Sequence, residues 1–419
     1  MNKLQNSLID RFPALASRDF VLFLVGQFAS VIGTWMQGTA QPYLAYRISG
    51  RPFDLGLIGF AGSLPTLLLA LPAGVLVERW DKRRIVIIFQ TIMALLAFAL
   101  AALTFSGKIQ IWHITAIAFL FGTASAVEIT ARQAMLIELA GRAALPSAIA
   151  LQTTAFNLGR VLGPTLAAPF MAAGNEGSAF LVNGFSFVFV IVGLLIARTR
   201  FRVPRAEEAT RSMVAEFQEG VGYIRRNSVV ASIILMAALI GTFGMPLLQQ
   251  IPTLGRDVLR TALDTEKLIA ERTGLLYIIQ GVGALAAALI ATYLSSWRRK
   301  GWLMTLGQIA FIFGILALSG ITFQPLVLLV LGLIGWGSVT QLVAMNTLIQ
   351  MQVPNGLRGR VFSTYLWALQ GVAPFGSLLV GWMVQTMALP VTMLICGGLL
   401  LAFFVFMHLR NPEIRKSEG

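Results

Sequence analysis

An all-helical integral membrane fold, twelve transmembrane spans in two pseudo-symmetric six-helix halves, is what this sequence predicts, and three observations carry the prediction. Hydrophobic residues make up 57% of the 419 residues and charged residues only 12%, about half the ~25% usual in soluble chains. The apolar residues gather in runs of about 20, the length that crosses a hydrocarbon core as a helix. No stretch alternates as a barrel strand would.

The run over 85–105, IVIIFQTIMALLAFALAALTF, is the cleanest span, since it carries no charge. At ~1.5 Å per residue it reaches roughly 30 Å. The same reading predicts spans one to six at 20–46, 55–77, 85–105, 109–131, 145–171 and 178–197. Spans seven to twelve are predicted at 229–251, 273–296, 301–321, 325–345, 361–387 and 390–409. The basic turns ERWDKRR and SSWRRK separate spans two and three, and spans eight and nine. The longest polar connection, 198–228, divides six spans from six. The chain therefore reads as an N-terminal segment 1–19, a first half 20–197, a linker 198–228, a second half 229–409 and a tail 410–419. The halves echo one another: Gly56 precedes Gly74 by 18 residues ahead of ERWDKRR, as Gly274 precedes Thr292 ahead of SSWRRK. A weak repeat of this kind marks many secondary transporters.

The net charge of +14 does not point to nucleic acid, because the basic residues sit between apolar runs instead of on one face. The even-to-odd turns and the tails hold 24 of the 32 Lys and Arg residues, and the opposite turns hold seven. That asymmetry places both termini in the cytoplasm. A long first apolar run without a small-residue cleavage site argues against a signal peptide. Leu4, Leu8, Phe12 and Leu15 recur at helical spacing ahead of it and predict either an interfacial helix or a mobile tail.

One cysteine, Cys396, excludes an internal disulfide and a cysteine metal cluster, and two histidines, His113 and His408, exclude a polyhistidine site. No metal and no cofactor is expected. The phosphate cradle G-x-x-x-x-G-K-[ST] is missing, so ATP is not the expected energy source. Convergent carboxylates or histidines are absent too, which argues against an enzyme.

Ionisable groups within a span are costly and are functional candidates. Glu128 lies in the inner part of span four, with Arg132 four residues on along the same helix face. The pair reads either as an inner-surface salt bridge or as a desolvated carboxylate that exchanges protons. Arg160 lies near the middle of span five and needs a carboxylate, backbone carbonyls or an anionic cargo. The loop 254–272 balances four bases against four acids and predicts either a short helix outside the membrane or a solvated cap.

The turn GVLVERWDKRR, 74–84, resembles the signature loop of the major facilitator superfamily. Gly74, Arg79, Lys82 and Arg83 match that loop, Glu78 stands at its acid position and Asp81 where many members have Gly. NLGRVLGPTLAA in span five is similar to the superfamily's antiporter motif through Gly163 and Pro164, with Ala167 and Ala168 in place of its trailing glycines. IGTWMQGTAQPYLAYRISG, TARQAMLIELAG and MNTLIQMQVPNGLRGRVFSTY resemble the branch of the enterobactin exporter, transmembrane secretion effectors and macrolide-efflux proteins. Arg358 and Arg360, in the last of these, open span eleven as the ERWDKRR turn opens span three. Thr34 replaces an acid found in many relatives, and Ala118 sits near the place of the span-four arginine of drug:proton antiporters.

The resemblance implies the superfamily fold, a gate at the signature turn, and export of a small amphiphilic molecule, drug-like or siderophore, by alternating access. Protons are the expected coupling ion, the bilayer the expected solvent, and a monomer the expected state, without nucleic acid. The first and fourth helices of each half line the family's cavity. That makes Gln27, Trp35, Gln37, Met245, Gln249, Trp336 and Gln341 the cavity candidates, although amides and aromatics also join helices. A facilitator without proton coupling remains the alternative.

Overall fold

The computed structural model describes residues 11–199, 213–293, 299–354 and 357–413. Among them there is no strand. Eleven of the described helices are long and apolar enough to cross a membrane. The spans open with Arg18–Ser49, Pro52–Arg79, Lys82–Phe105 and Ile111–Ala140, then Leu145–Ala172 and Glu176–Ile196. Leu145–Ala172 is the twelfth expected span. Its length suffices, but Gln152, Asn157 and Arg160 dilute its apolar character.

The first compact unit comprises Met1–Leu44 and Leu64–Glu207. Its core packs Phe20 and Phe23 of span one against Ile85, Val86, Met135, Leu139, Val190 and Leu194. Small residues bring the helices together. Gly26 faces the backbone of Phe189, and a Cβ there would come within 2.8 Å of its carbonyl oxygen. Asp19 fastens the start of span one to the end of span six by accepting from the Arg198 and Thr199 amides, at 2.9 and 2.8 Å, and from the Thr199 hydroxyl. The interfacial-helix expectation at Leu4 and Leu8 lies outside the described residues. Phe12 caps a short 3₁₀ turn, Pro13–Ala16, and Leu15 lies within it.

The second unit comprises Ala45–Ser63 and Glu208–Gly419. The ends of spans one and two that join at Gly50 therefore group with the second set of helices, where the sequence places them in the first half. The contacts are close: a Cβ on Gly56 would overlap the Ser377 carbonyl oxygen, and Gly59 faces the Gln249 amide. A linker helix, Met213–Arg226, precedes span seven, and the rest of the expected linker, 200–212, lies outside the described residues.

Span seven, Ser228–Leu248, is α-helical to Leu239 and π-helical over Ile240–Gly244. Spans eight to ten are Glu266–Tyr293, Lys300–Leu318 and Gln324–Gln352. Span eleven runs through Arg358–Leu366, a second π segment Trp367–Gly371, and Ala373–Met387, and span twelve is Leu389–Arg410. The two π segments pack together at Gly241, where a Cβ would strike the Leu369 carbonyl oxygen. Each inserts an extra residue into its helix, a form frequent at functional sites.

The expected outer helix over 254–272 takes another form. Leu254–Val258 is a π turn continuing span seven, and span eight begins at Glu266. The charges pair across the turn: Arg256 with Glu266 at 2.5 Å, and Arg272 with Asp264 at 2.6 Å, the latter pair almost fully buried. Arg272 also donates to the Gly255 carbonyl at 2.9 Å.

Candidate functional site

The signature turn is held inside the first unit. Asp81 caps span three, its carboxylate accepting from the Arg84 amide at 3.1 Å. Lys82 forms an ion pair with Glu138 near the end of span four. Arg83 donates to the Leu195 carbonyl at 3.0 Å. Arg79 is exposed, nothing approaches Gly74 at the Cβ position, and the Glu78 side chain lies outside the described residues. The matching turn of the second unit behaves alike: Arg360 pairs with Glu219 of the linker helix, while Arg358 is exposed.

Span three turns Gln90 toward Glu128 of span four. Gln90 donates to Glu128 Oε1 at 2.9 Å, and Arg132 Nε reaches the two carboxylate oxygens at 3.1 and 3.3 Å. Gln90 and Glu128 are buried at 1% and 3% exposure. The pairing expected between Glu128 and Arg132 is therefore formed, and a second helix supplies a donor. The i,i+4 spacing fixes the ion pair locally. Burial strengthens it and raises the cost of losing one partner.

Span five lies tight on span one. An added Cβ on Gly163 would overlap Trp35 Cβ and come within 2.9 Å of the Met36 amide, and one on Gly159 would come within 2.5 Å of Val31. Pro164, one residue on, lacks the N–H that would bond the Arg160 carbonyl. The Arg160 guanidinium lies over the Trp35 ring at 5.1 Å from its centroid. Trp35 meets Phe156 edge to face at 5.6 Å.

The cavity candidates separate by exposure. Trp35, Met245, Gln249 and Trp336 are partly exposed. Gln37 is buried and joins helices: it donates to Gln41 at 3.1 Å and accepts from Asn183 of span six at 2.8 Å. Gln27 and Gln341 are buried as well, with side-chain oxygens that no described group reaches. Sequence reading passed over Gln90, Glu138 and Asn183. Gln90 was visible as the one amide in the apolar run of span three; nothing local marked the other two.

At the far end of the second unit Tyr46 donates to Asp257. Gln250 donates to the Pro52 carbonyl at 3.3 Å and accepts from Thr253 at 3.1 Å.

The sequence profile described as transmembrane secretion effector matches residues 10–418. The chain belongs to this family of the major facilitator superfamily. Like the family, it is a multi-pass membrane transporter. Among curated relatives, the multidrug efflux pump Tap of Mycolicibacterium fortuitum is 23% identical over 89% of this chain and 91% of its own length. The staphyloferrin A transporter of Staphylococcus aureus is 26% identical over 85% and 87%. The enterobactin exporter EntS of Escherichia coli O157:H7 is 24% identical over the whole of both chains. Solved structures share the fold. A bacterial homologue of the lysosomal transporter Spinster aligns with TM-score 0.74 at 12% identity, covering 96% of this chain and 99% of its own. The nucleoside transporter NupG aligns with TM-score 0.70 at 13% identity over 94% and 98%.

Proposed function

We propose that this transporter exports a small amphiphilic molecule across a bacterial cell membrane by alternating access, with protons as the counter-ion. Its relatives carry names of efflux and siderophore transport, which supports export and an amphiphilic cargo. The excess of Lys and Arg at one set of turns supports an orientation with both termini in the cytoplasm.

The observation that carries the proton reading is the buried Gln90–Glu128–Arg132 cluster. Thr34 and Ala118 leave the other expected coupling positions without charge. In an exchanger, protonation and cargo must compete through linked sites. Proton uptake by Glu128 would remove its ion pair with Arg132 and free a guanidinium for a different partner. The signature-turn residues fit a gate whose contacts exchange during the cycle, with Lys82 and Arg83 parked here on Glu138 and Leu195.

One observation favours a facilitator instead: both oxygens of Glu128 lie within reach of Arg132, the geometry of a structural salt bridge. Uptake of a dye panel by inverted vesicles, with and without a pH gradient, decides between the two. Proton exchange predicts gradient-driven uptake by the wild type and none by Glu128→Gln. Equal, gradient-independent uptake by both proteins leaves the facilitator.

A further inference from the structure

Arg160 has a guanidinium at the middle of a span and, among the described residues, no counter-charge. Among the described residues it makes no hydrogen bond and no ion pair, and its aromatic contact with Trp35 stands alone. Fifteen residues separate it from Leu145 and twelve from Ala172, so the span's ends are ~22 and ~18 Å away along the helix. No arginine side chain snorkels that far. Guanidinium stays protonated in proteins. A permanent charge at this depth is stabilised by an anion, and none of the described residues supplies one.

The surroundings define what anion fits. Gly159 and Gly163 let span five press on Trp35, which fixes the indole against the guanidinium from one side. Phe156, one turn earlier on span five, abuts the same indole and stays half exposed. Gly38, one turn beyond Trp35 on span one, is exposed and adds no bulk. A flat cation therefore sits beside an accessible aromatic surface. We infer that Arg160, Trp35 and Phe156 form a seat for a planar aromatic anion, with a carboxylate or similar oxyanion on the guanidinium fork and the ring system against Phe156. The seat rests on the export reading, since it assigns that activity a class of cargo. The fork matches a carboxylate bidentately, and the aromatic neighbours favour a ring.

A charge series on one ring system tests the seat. The probes are 2-naphthoate, neutral 2-naphthalenemethanol and cationic 2-naphthylmethylammonium, titrated calorimetrically into the purified protein. The wild type should bind the anion at least about tenfold more tightly than the alcohol. Arg160→Gln should abolish that preference, Arg160→Lys should keep part of it, and Trp35→Leu should weaken both ligands. An Arg160→Gln protein with the wild-type preference overturns the seat. So does a wild type blind to charge, a result that needs no variant to fold. Inverted vesicles keep the two readings separate. Anion preference without accumulation of any probe sinks export and spares the seat; accumulation without charge preference sinks the seat and spares export.

Discussion

Asp264 and Arg272 show what a single buried charge does in this protein. Their side chains are 7% and 8% exposed, and the carboxylate takes both guanidinium nitrogens, at 2.6 and 2.9 Å. The Arg272 guanidinium holds the Asp264 carboxyl well below the usual carboxylate range, against the opposing effect of burial. A carboxyl depressed in the folded state contributes stability above its unfolded value of ~3.9, and loses it as pH falls further. Melting of the purified protein should therefore drop below about pH 4. Asp264→Asn should lower the melting temperature at neutral pH, since removing one partner of a buried pair costs ~3–5 kcal/mol. It should also flatten that acid limb, and an unchanged acid limb in the variant would assign it to other carboxylates. Gln37 offers the polar counterpart. Gln37→Leu leaves the Asn183 amide without its acceptor, for about 1–3 kcal/mol, visible as a lower melting temperature without change in cargo specificity.

Helix contacts are set by where side chains are missing. Gly163 permits the approach of spans one and five, so Gly163→Ala should cost ~1–3 kcal/mol through overpacking. Gly398→Ala in span twelve, where nothing lies near the added Cβ, should be neutral or slightly stabilising. Equal melting temperatures for the two variants would refute the packing argument. The turns show the same economy. Gly50, Gly107, Gly141 and Gly174 take positive φ between helices, and Ala388 does so between spans eleven and twelve at φ 67°, ψ 160°. That region is nearly closed to residues with a Cβ and costs of order 1–3 kcal/mol. Ala388→Gly should raise the melting temperature and Ala388→Val should lower it.

For the molecule as a whole the testable quantity is topology. Cys396 is buried, so a Cys396→Ala background carries single reporters cleanly. A cysteine at Ser106, between spans three and four, should react with an impermeant maleimide added outside intact cells. One at Arg142, between spans four and five, should react only after permeabilisation. The reverse pattern would invert the orientation. Transport by any variant that labels correctly can then be attributed to function and not to misinsertion.

Composition and run length by themselves determined a helical membrane bundle, because lipid satisfies no backbone hydrogen bond and so admits few solutions. They also located the spans, including Leu145–Ala172, whose polar residues lower its hydropathy below that of its neighbours. The Glu128–Arg132 pair was equally legible, since helical spacing alone brings residues four apart together. Tertiary structure decided the rest. Gln90 could be seen as an odd amide in span three, but only helix packing turned it toward Glu128. Lys82 looked like a gate residue, and only the fold placed Glu138, 56 positions away, beside it. Gln37 resembled a cavity amide until Asn183 of span six claimed it. The π segments of spans seven and eleven left no periodicity to read. Arg160 was conspicuous from the start, yet that no described residue offers it a counter-charge was visible only in the packed helices, because a missing partner is a property of the neighbourhood and not of the residue.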